Sequence, residues 1–426
     1  MKNTRIISAA CILASLILLA GCQKGLGNFG GQSVRFGATT KGSTTKAAYS
    51  GVGTFSNGFL TWERIEWEST DRIRVASNYA YCKDHGAGSS TPLNSHYADY
   101  TLSGINNPTD DPKISKATMA PLNTTSNGLV WDDAHESGYA FYAVSPCPLD
   151  NSNITLGSGD EGNGTLGAVT ATLPSDQTFA QTATTRYVSS TGAVADADGK
   201  VFTAAQEGGY TYNVYAPSKD IMFLTAAKTG VSYETKDVPL EFKPAFTAFE
   251  FHITTQDESL AIKKVALVAG ENDYLVGQYE IPTAGSVSGA AVKAESKIDA
   301  NKTVSWSFDG EGVSVTGNSG IAVSLLAVPV ANTKAITLKV TDNTGAVASL
   351  PLTYSGKVAG HNAGDPYLFT PGTKYRVNLL KVAGKWKISI APDVDPWDDE
   401  AISIEVTAPS KLNPSFDQPF NDEEDL

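Results

Sequence analysis

Short runs of alternating apolar and polar residues, bounded by Gly, Pro, Asn, Asp and Ser, recur along almost the whole chain. They limit what it can fold into. A period of two sends successive side chains to opposite faces, so each run reads as a half-buried strand. In Ser33–Thr39, for example, Val34, Phe36 and Ala38 point one way and Ser33, Arg35 and Gly37 the other. Helical periodicity is nearly absent, and Ser218–Ala226 is too short to stand as a helix. Further strands are expected at Leu60–Trp67, Arg72–Tyr81, Tyr139–Val144, Ala168–Thr172 and Tyr210–Tyr215, with a long polar loop over Asp84–Asn127. From Val238 the runs are more regular, from Leu240–Phe242 and Ala248–Thr254 through Lys263–Ala269 to Lys374–Val382, Lys385–Ile390 and Ala401–Val406. Many short strands separated by turns predict an all-β fold of the sandwich kind. The 426 residues suffice for two or three domains at about 100–200 residues each. No repeat of solenoid or propeller length is present.

The N-terminus has a different character. Lys2 and Arg5 precede an apolar stretch, Ile6–Leu19, that is too short to span a bilayer and ends in Leu19-Ala20-Gly21-Cys22. That order is a bacterial lipobox: Cys22 is expected to carry a diacylglycerol and become the mature N-terminus. Gln23, not Asp, follows it, so the expected destination is the outer membrane, held by acyl chains worth about 0.8 kcal/mol per buried CH₂. Residues 1–21 are then a signal peptide and 22–32, rich in Gly, a flexible leash.

The formal charge of −13 falls to −15 once Lys2 and Arg5 leave. Such a surface excludes nucleic acid as a partner, because phosphate binding needs a basic footprint. Of four cysteines, Cys11 leaves with the signal and Cys22 is the lipid site. Cys82 and Cys147 remain in an oxidising compartment, where a disulfide and two buried thiols fit equally well.

Constellations that carry catalysis are missing from the sequence. His85, His96, His135, His252 and His361 show no metal-binding spacing. His252, inside a strand run, is expected to point outward. No Gly-x-Ser-x-Gly elbow occurs, and Gly157–Asp160 is a loop with no helix after it to cradle a phosphate. Asp132-Asp133 and Asp398-Asp399 are adjacent acids, which on a strand face opposite ways and make poor glycosidase dyads. No enzyme, cofactor or metal site is expected. At the other end, Ile402, Ile404 and Val406 share one face of a last strand, before a Pro-rich acidic tail over 408–426. They are candidate donor-strand residues, since a strand of this kind can complete a neighbour's unpaired sheet edge.

Several segments, in order, resemble the fimbrillin family of Bacteroidetes, the subunits of type V pili. They are Lys46-Ala47-Ala48-Tyr49-Ser50-Gly51, Trp67, Asp71-Arg72-Ile73-Arg74-Val75 and Tyr139-Ala140-Phe141-Tyr142-Ala143-Val144-Ser145-Pro146. Next come Leu173-Pro174-Ser175-Asp176-Gln177-Thr178, Asp220-Ile221-Met222-Phe223 and Val238-Pro239-Leu240-Glu241-Phe242 with its partner run Phe246–Ile253. Pro371-Gly372-Thr373-Lys374-Tyr375, Gly384-Lys385-Trp386 and Pro396-Trp397-Asp398 close the series. Thr70 stands where the family usually has Gly.

The resemblance implies two tandem transthyretin-like, Greek-key β-sandwich domains, over 33–229 and 230–407. It also implies a lipoprotein precursor whose N-terminal strand, here Ser33–Thr39, is removed by a trypsin-like protease cutting after a basic residue. Arg35, Lys41 and Lys46 are the candidate cut sites, with Lys46 preferred because it follows the turn-like Gly42-Ser43-Thr44-Thr45; all three fit solvated surface charges equally well. The function so implied is that of a non-enzymatic structural or adhesive fimbrial subunit, with other subunits and the outer membrane as partners. The alternative is a permanently anchored surface lipoprotein that binds glycans or host ligands, using aromatics such as Trp131 or Tyr97.

Overall fold

In the computed structural model, the described residues are 31–41, 55–56, 59–60 and, with shorter interruptions, 67–156, 168–186, 211–282 and 290–392. Strands dominate them, as the alternation predicts, and the fold is all-β. In chain order, β1 (Phe36–Lys41) is followed by the small hairpin β2 (Phe55–Ser56) and β3 (Phe59–Leu60). Then come β4 (Arg72–Ser77), β5 (Tyr97–Asn106), β6 (Ile114–Pro121), β7 (Tyr139–Ser145), β8 (Ile154–Leu156) and β9 (Val169–Leu173). The middle of the chain holds β10 (Phe179–Arg186), β11 (Thr211–Pro217), β12 (Leu224–Val231), β13 (Val238–Pro244), β14 (Thr247–Thr255) and β15 (Leu260–Val268). After them lie β16 (Gly277–Ile281), β17 (Ala291–Val292), β18 (Thr303–Ser307), β19 (Val313–Val315) and β20 (Ser319–Ala327). The last are β21 (Thr337–Asp342), β22 (Val347–Pro351), β23 (Lys374–Val382) and β24 (Lys385–Pro392).

The first sheet closes on itself as a barrel in the order β1-β13-β12-β7-β4-β5-β6, with β6 returning to β1. Its interior is a continuous cluster that includes Phe36, Trp67, Ile73, Val75, Tyr100, Leu129, Trp131, Phe141, Leu240 and Phe242. Closure leaves no unpaired edge in this sheet.

The expectation of a loop across Asp84–Asn127 is corrected here, because β5 and β6 form an antiparallel pair inside that span. Their own alternation accounts for it: Ala98, Tyr100 and Leu102 of β5 and Ala117 and Met119 of β6 are buried in the barrel core. Surrounding Ser, Asn and Pro mask the signal in the sequence.

The second core lies among three further sheets. A six-stranded sheet runs β10-β11-β20-β14-β23-β24; a second joins β18-β15-β21-β22 with β19 also on β15; a third is β17-β16-β9-β8. Phe249, Phe251 and Ile253, alternating along β14, meet apolar residues of the other two sheets in one cluster. On β15 a register shift between Ile262 and Lys264 reverses the alternation. Leu260 and Ile262 before it, and Val265 and Leu267 after it, are thereby all buried. The extra residue keeps the apolar face inward where a regular strand would turn half of it out.

Hydrogen bonding crosses the expected boundary between residues 229 and 230 in both directions. β13 joins the barrel through β1, whereas β9 pairs with β16 and β11 with β20. β7 serves both cores: Tyr139, Phe141 and Ala143 face the barrel interior, and Tyr142 and Val144 face the second core. The Tyr142 hydroxyl donates to the carbonyl of Pro282 across 2.8 Å.

Candidate functional site

The sequence points to the first strand, and in the structure that segment closes the barrel. β1 runs parallel to β13, Phe36 opposite Val238 and Thr40 opposite Phe242. On its other side it runs antiparallel to β6, Gly37 opposite Thr118 and Lys41 opposite Ile114. Val34, Phe36 and Ala38 are buried, as the alternation predicts, and Thr40 continues the buried face beyond the expected end of the strand. Phe36 is the deepest anchor, its ring edge-on to Tyr100 (centroids 5.4 Å apart) and Phe141 (5.1 Å). The approach to the strand is fixed too: the Val34 N–H donates to Leu129 O at 2.8 Å, and the Gly31 N–H to Trp131 O at 3.2 Å.

The candidate cut sites differ in what holds them. Arg35 lies just before β1 with an exposed side chain paired to Asp237 (Nε–Oδ1 3.1 Å). Its carbonyl, part of the peptide bond a protease would attack, accepts the Val238 N–H at 2.8 Å, and the next residue, Phe36, is buried. Lys41 is the last residue of β1 and pairs through its backbone with Ile114. Lys46, the lipid-site candidate Cys22 and the donor-strand candidates Ile402, Ile404 and Val406 lie outside the described residues.

Cys82 and Cys147 are buried free thiols, so the structure holds the second of the two arrangements open to them. Burial pushes the Cys147 thiol up to about 12, and the Asp99 carboxylate beside it adds to the effect. Asp99 itself receives the Arg74 guanidinium in a bidentate pair (2.7 and 2.9 Å), and the same guanidinium lies 4.4 Å from the centre of the Tyr97 ring. Neither aromatic of the glycan-binding alternative is presented for stacking. Trp131 is only 3% exposed within the barrel core, and Tyr97 is half-buried beneath Arg74.

Among the described histidines, the outward expectation for His252 is corrected. It is buried, and its Nε2 lies 2.5 Å from Glu250 Oε1. β14 is covered on both faces, so period-two alternation does not separate core from solvent there. His135 stacks on Tyr79 (centroids 3.7 Å apart) and its Nδ1 lies 2.8 Å from Asp132 Oδ2. Asp132 also accepts the Ala134 N–H at 3.2 Å, as a turn residue does. Among the described residues no group of three or more His, Cys, Asp or Glu is placed to hold a metal ion. No helix among them is long and apolar enough to cross a membrane. Sequence reasoning missed the polar group around Glu250; the faint signal was a charged residue inside Phe246–Ile253.

No family model matches the chain, and no curated protein does. Among solved structures, similarity extends to Bacteroidetes cell adhesion and fimbrial proteins. One is a candidate cell adhesion protein from Bacteroides uniformis, at 14% identity and a TM-score of 0.43, covering 86% of this chain and 98% of that one. Another, from Bacteroides ovatus, is 17% identical with a TM-score of 0.41, covering 84% and 95%. A third is the tip fimbrial protein Mfa3 from Porphyromonas gingivalis, C-terminally truncated, at 9% identity and 0.37, covering 84% and 99%. With TM-scores below 0.5, none of these superpositions assigns a function to the chain.

Proposed function

We propose that the chain is a non-enzymatic structural or adhesive subunit of a cell-surface fimbria. In this reading it is made as a lipoprotein tethered through Cys22, and it assembles by strand exchange once its N-terminal strand is cut away. The observation that supports the reading is the position of β1, the first strand after the leash, as the strand that closes the barrel between β6 and β13. Removing it would expose the backbone edges of both neighbours and the apolar slot that holds Val34, Phe36, Ala38 and Thr40. A strand from another subunit could fill such a slot with main-chain bonds and alternating apolar side chains. Ile402, Ile404 and Val406 have the alternation required.

Cutting belongs downstream of β1. A protease needs its target segment released from the fold, and the Arg35 carbonyl and Phe36 ring are tied into the barrel. Lys41, at the strand's end, and Lys46 beyond it are the sites this reading favours. Cutting at either releases the whole of β1. Intact mass and N-terminal sequencing of the protein taken from the cell surface test the proposal. The expected product begins after Lys46 or Lys41 and runs as a detergent-stable ladder without heating. A lipidated Cys22 N-terminus together with monomers only would overturn strand exchange.

A further inference from the structure

The six-stranded sheet buries a charged group on the face turned away from its aromatic core. Glu250 of β14, Lys374 of β23 and His252 of β14 have side chains only 4%, 0% and 1% exposed. The parallel register sets Ala248 opposite Lys374 and Glu250 opposite Arg376, so Glu250 and Lys374 are diagonal neighbours on one face. Long side chains reach across that diagonal. The Lys374 Nζ meets Glu250 Oε2, His252 Nε2 lies 2.5 Å from Glu250 Oε1, and the Ser324 hydroxyl donates to Oε2 across 3.5 Å. Ala248, Ala322 and Leu326, which the same alternation and register place around them, are buried as well.

An amine, a carboxyl group and an imidazole held together out of water are the components of an amide-forming reaction. In water the two partners stay apart as ammonium and carboxylate, and neither reacts. For the amine to react, a proton must pass from Lys374 to Glu250, and burial lowers the cost of that transfer because it removes the hydration that favours the charged forms. Their fixed approach replaces a bimolecular encounter.

We propose that Lys374 and Glu250 condense to an intramolecular isopeptide bond. The Lys374 nitrogen attacks Glu250 Cδ, and the amide C–N bond forms as a C–O bond of the carboxyl group breaks. His252 takes the proton that the attacking nitrogen sheds and hands it to the departing hydroxyl, so one water leaves, the imidazole ends as it began and nothing is oxidised or reduced. His252 touches the reacting carboxyl oxygen and is the catalytic residue of the step. The bond joins β14 covalently to β23. A pull on the chain beyond β23 is then borne by the centre of the sheet through a covalent link as well as through hydrogen bonds.

Mass spectrometry of the full chain decides the matter without any variant. The expected mass is about 18 Da below that of the sequence with its N-terminal processing, one water lost. Trypsin should leave Lys374 uncut, and the peptide holding Glu250 should emerge joined to the one holding Lys374. Lys374→Met should restore the full mass, and His252→Phe should slow the loss of water after folding at least tenfold. Wild-type protein that is folded yet has the full mass, with cleavage after Lys374 and separate peptides, would overturn the proposal and leave a plain buried ion pair. Neither result depends on whether the subunit polymerises, so failure here and failure of the fimbrial reading are distinguishable.

Discussion

Cys147 shows how a residue's surroundings, more than its type, set its chemistry. Burial and the neighbouring Asp99 carboxylate hold its thiol protonated up to about 12, from an ordinary value of 9.0. The folded state therefore keeps a proton that the unfolded state loses first, and stability falls as pH rises from about 9 to about 12. Cys147→Ala should flatten that part of the stability–pH curve measured by urea titration. The same micro-environment explains why the residue was hard to read in advance. Nothing near Cys147 in sequence signals that β4 brings Arg74, and β5 Asp99, to its side. His252 and Trp131 were opaque for the same reason: a strand covered on both faces, or a loop aromatic folded into a barrel, looks locally like an exposed one.

Within single elements, alternation was largely legible. β1, β4, β14 and β23 stand close to where period-two runs place them, and the inward set Val34, Phe36 and Ala38 was readable as such. β5 and β6 were not, since short apolar residues among Asn, Ser and Pro give a weak pattern. The bulge in β15 was also hidden, because Lys263-Lys264 looks like a plain break in alternation until β21 is set beside it. β1 shows what one side chain contributes to an element. Phe36→Ala removes a ring seated against Tyr100 and Phe141 and should cost about 3–5 kcal/mol. A fall in denaturation midpoint with an unchanged denaturant slope would check that the loss is one of packing alone.

For the whole molecule the decisive fact is that the two cores are interleaved along the chain. β12 and β13 return to the barrel after β9, β10 and β11 have paired with later strands, and β7 supplies both cores from its two faces. Neither core can lose its strands without pulling on the other. Thermal unfolding followed by calorimetry should therefore give one transition with matching calorimetric and van't Hoff enthalpies; two resolved transitions would show the cores to be independent. The sequence by itself determined that the chain is all-β and where most strands lie, because period-two alternation and turn residues act over a few positions. Which strand lies beside which, the closing of the first sheet into a barrel and the burial of Glu250, His252 and Lys374 were decided only by the tertiary structure. The physical reason is range. β1 finds β13 some two hundred residues away, a choice made by total apolar burial and register across the whole fold and written in no local segment.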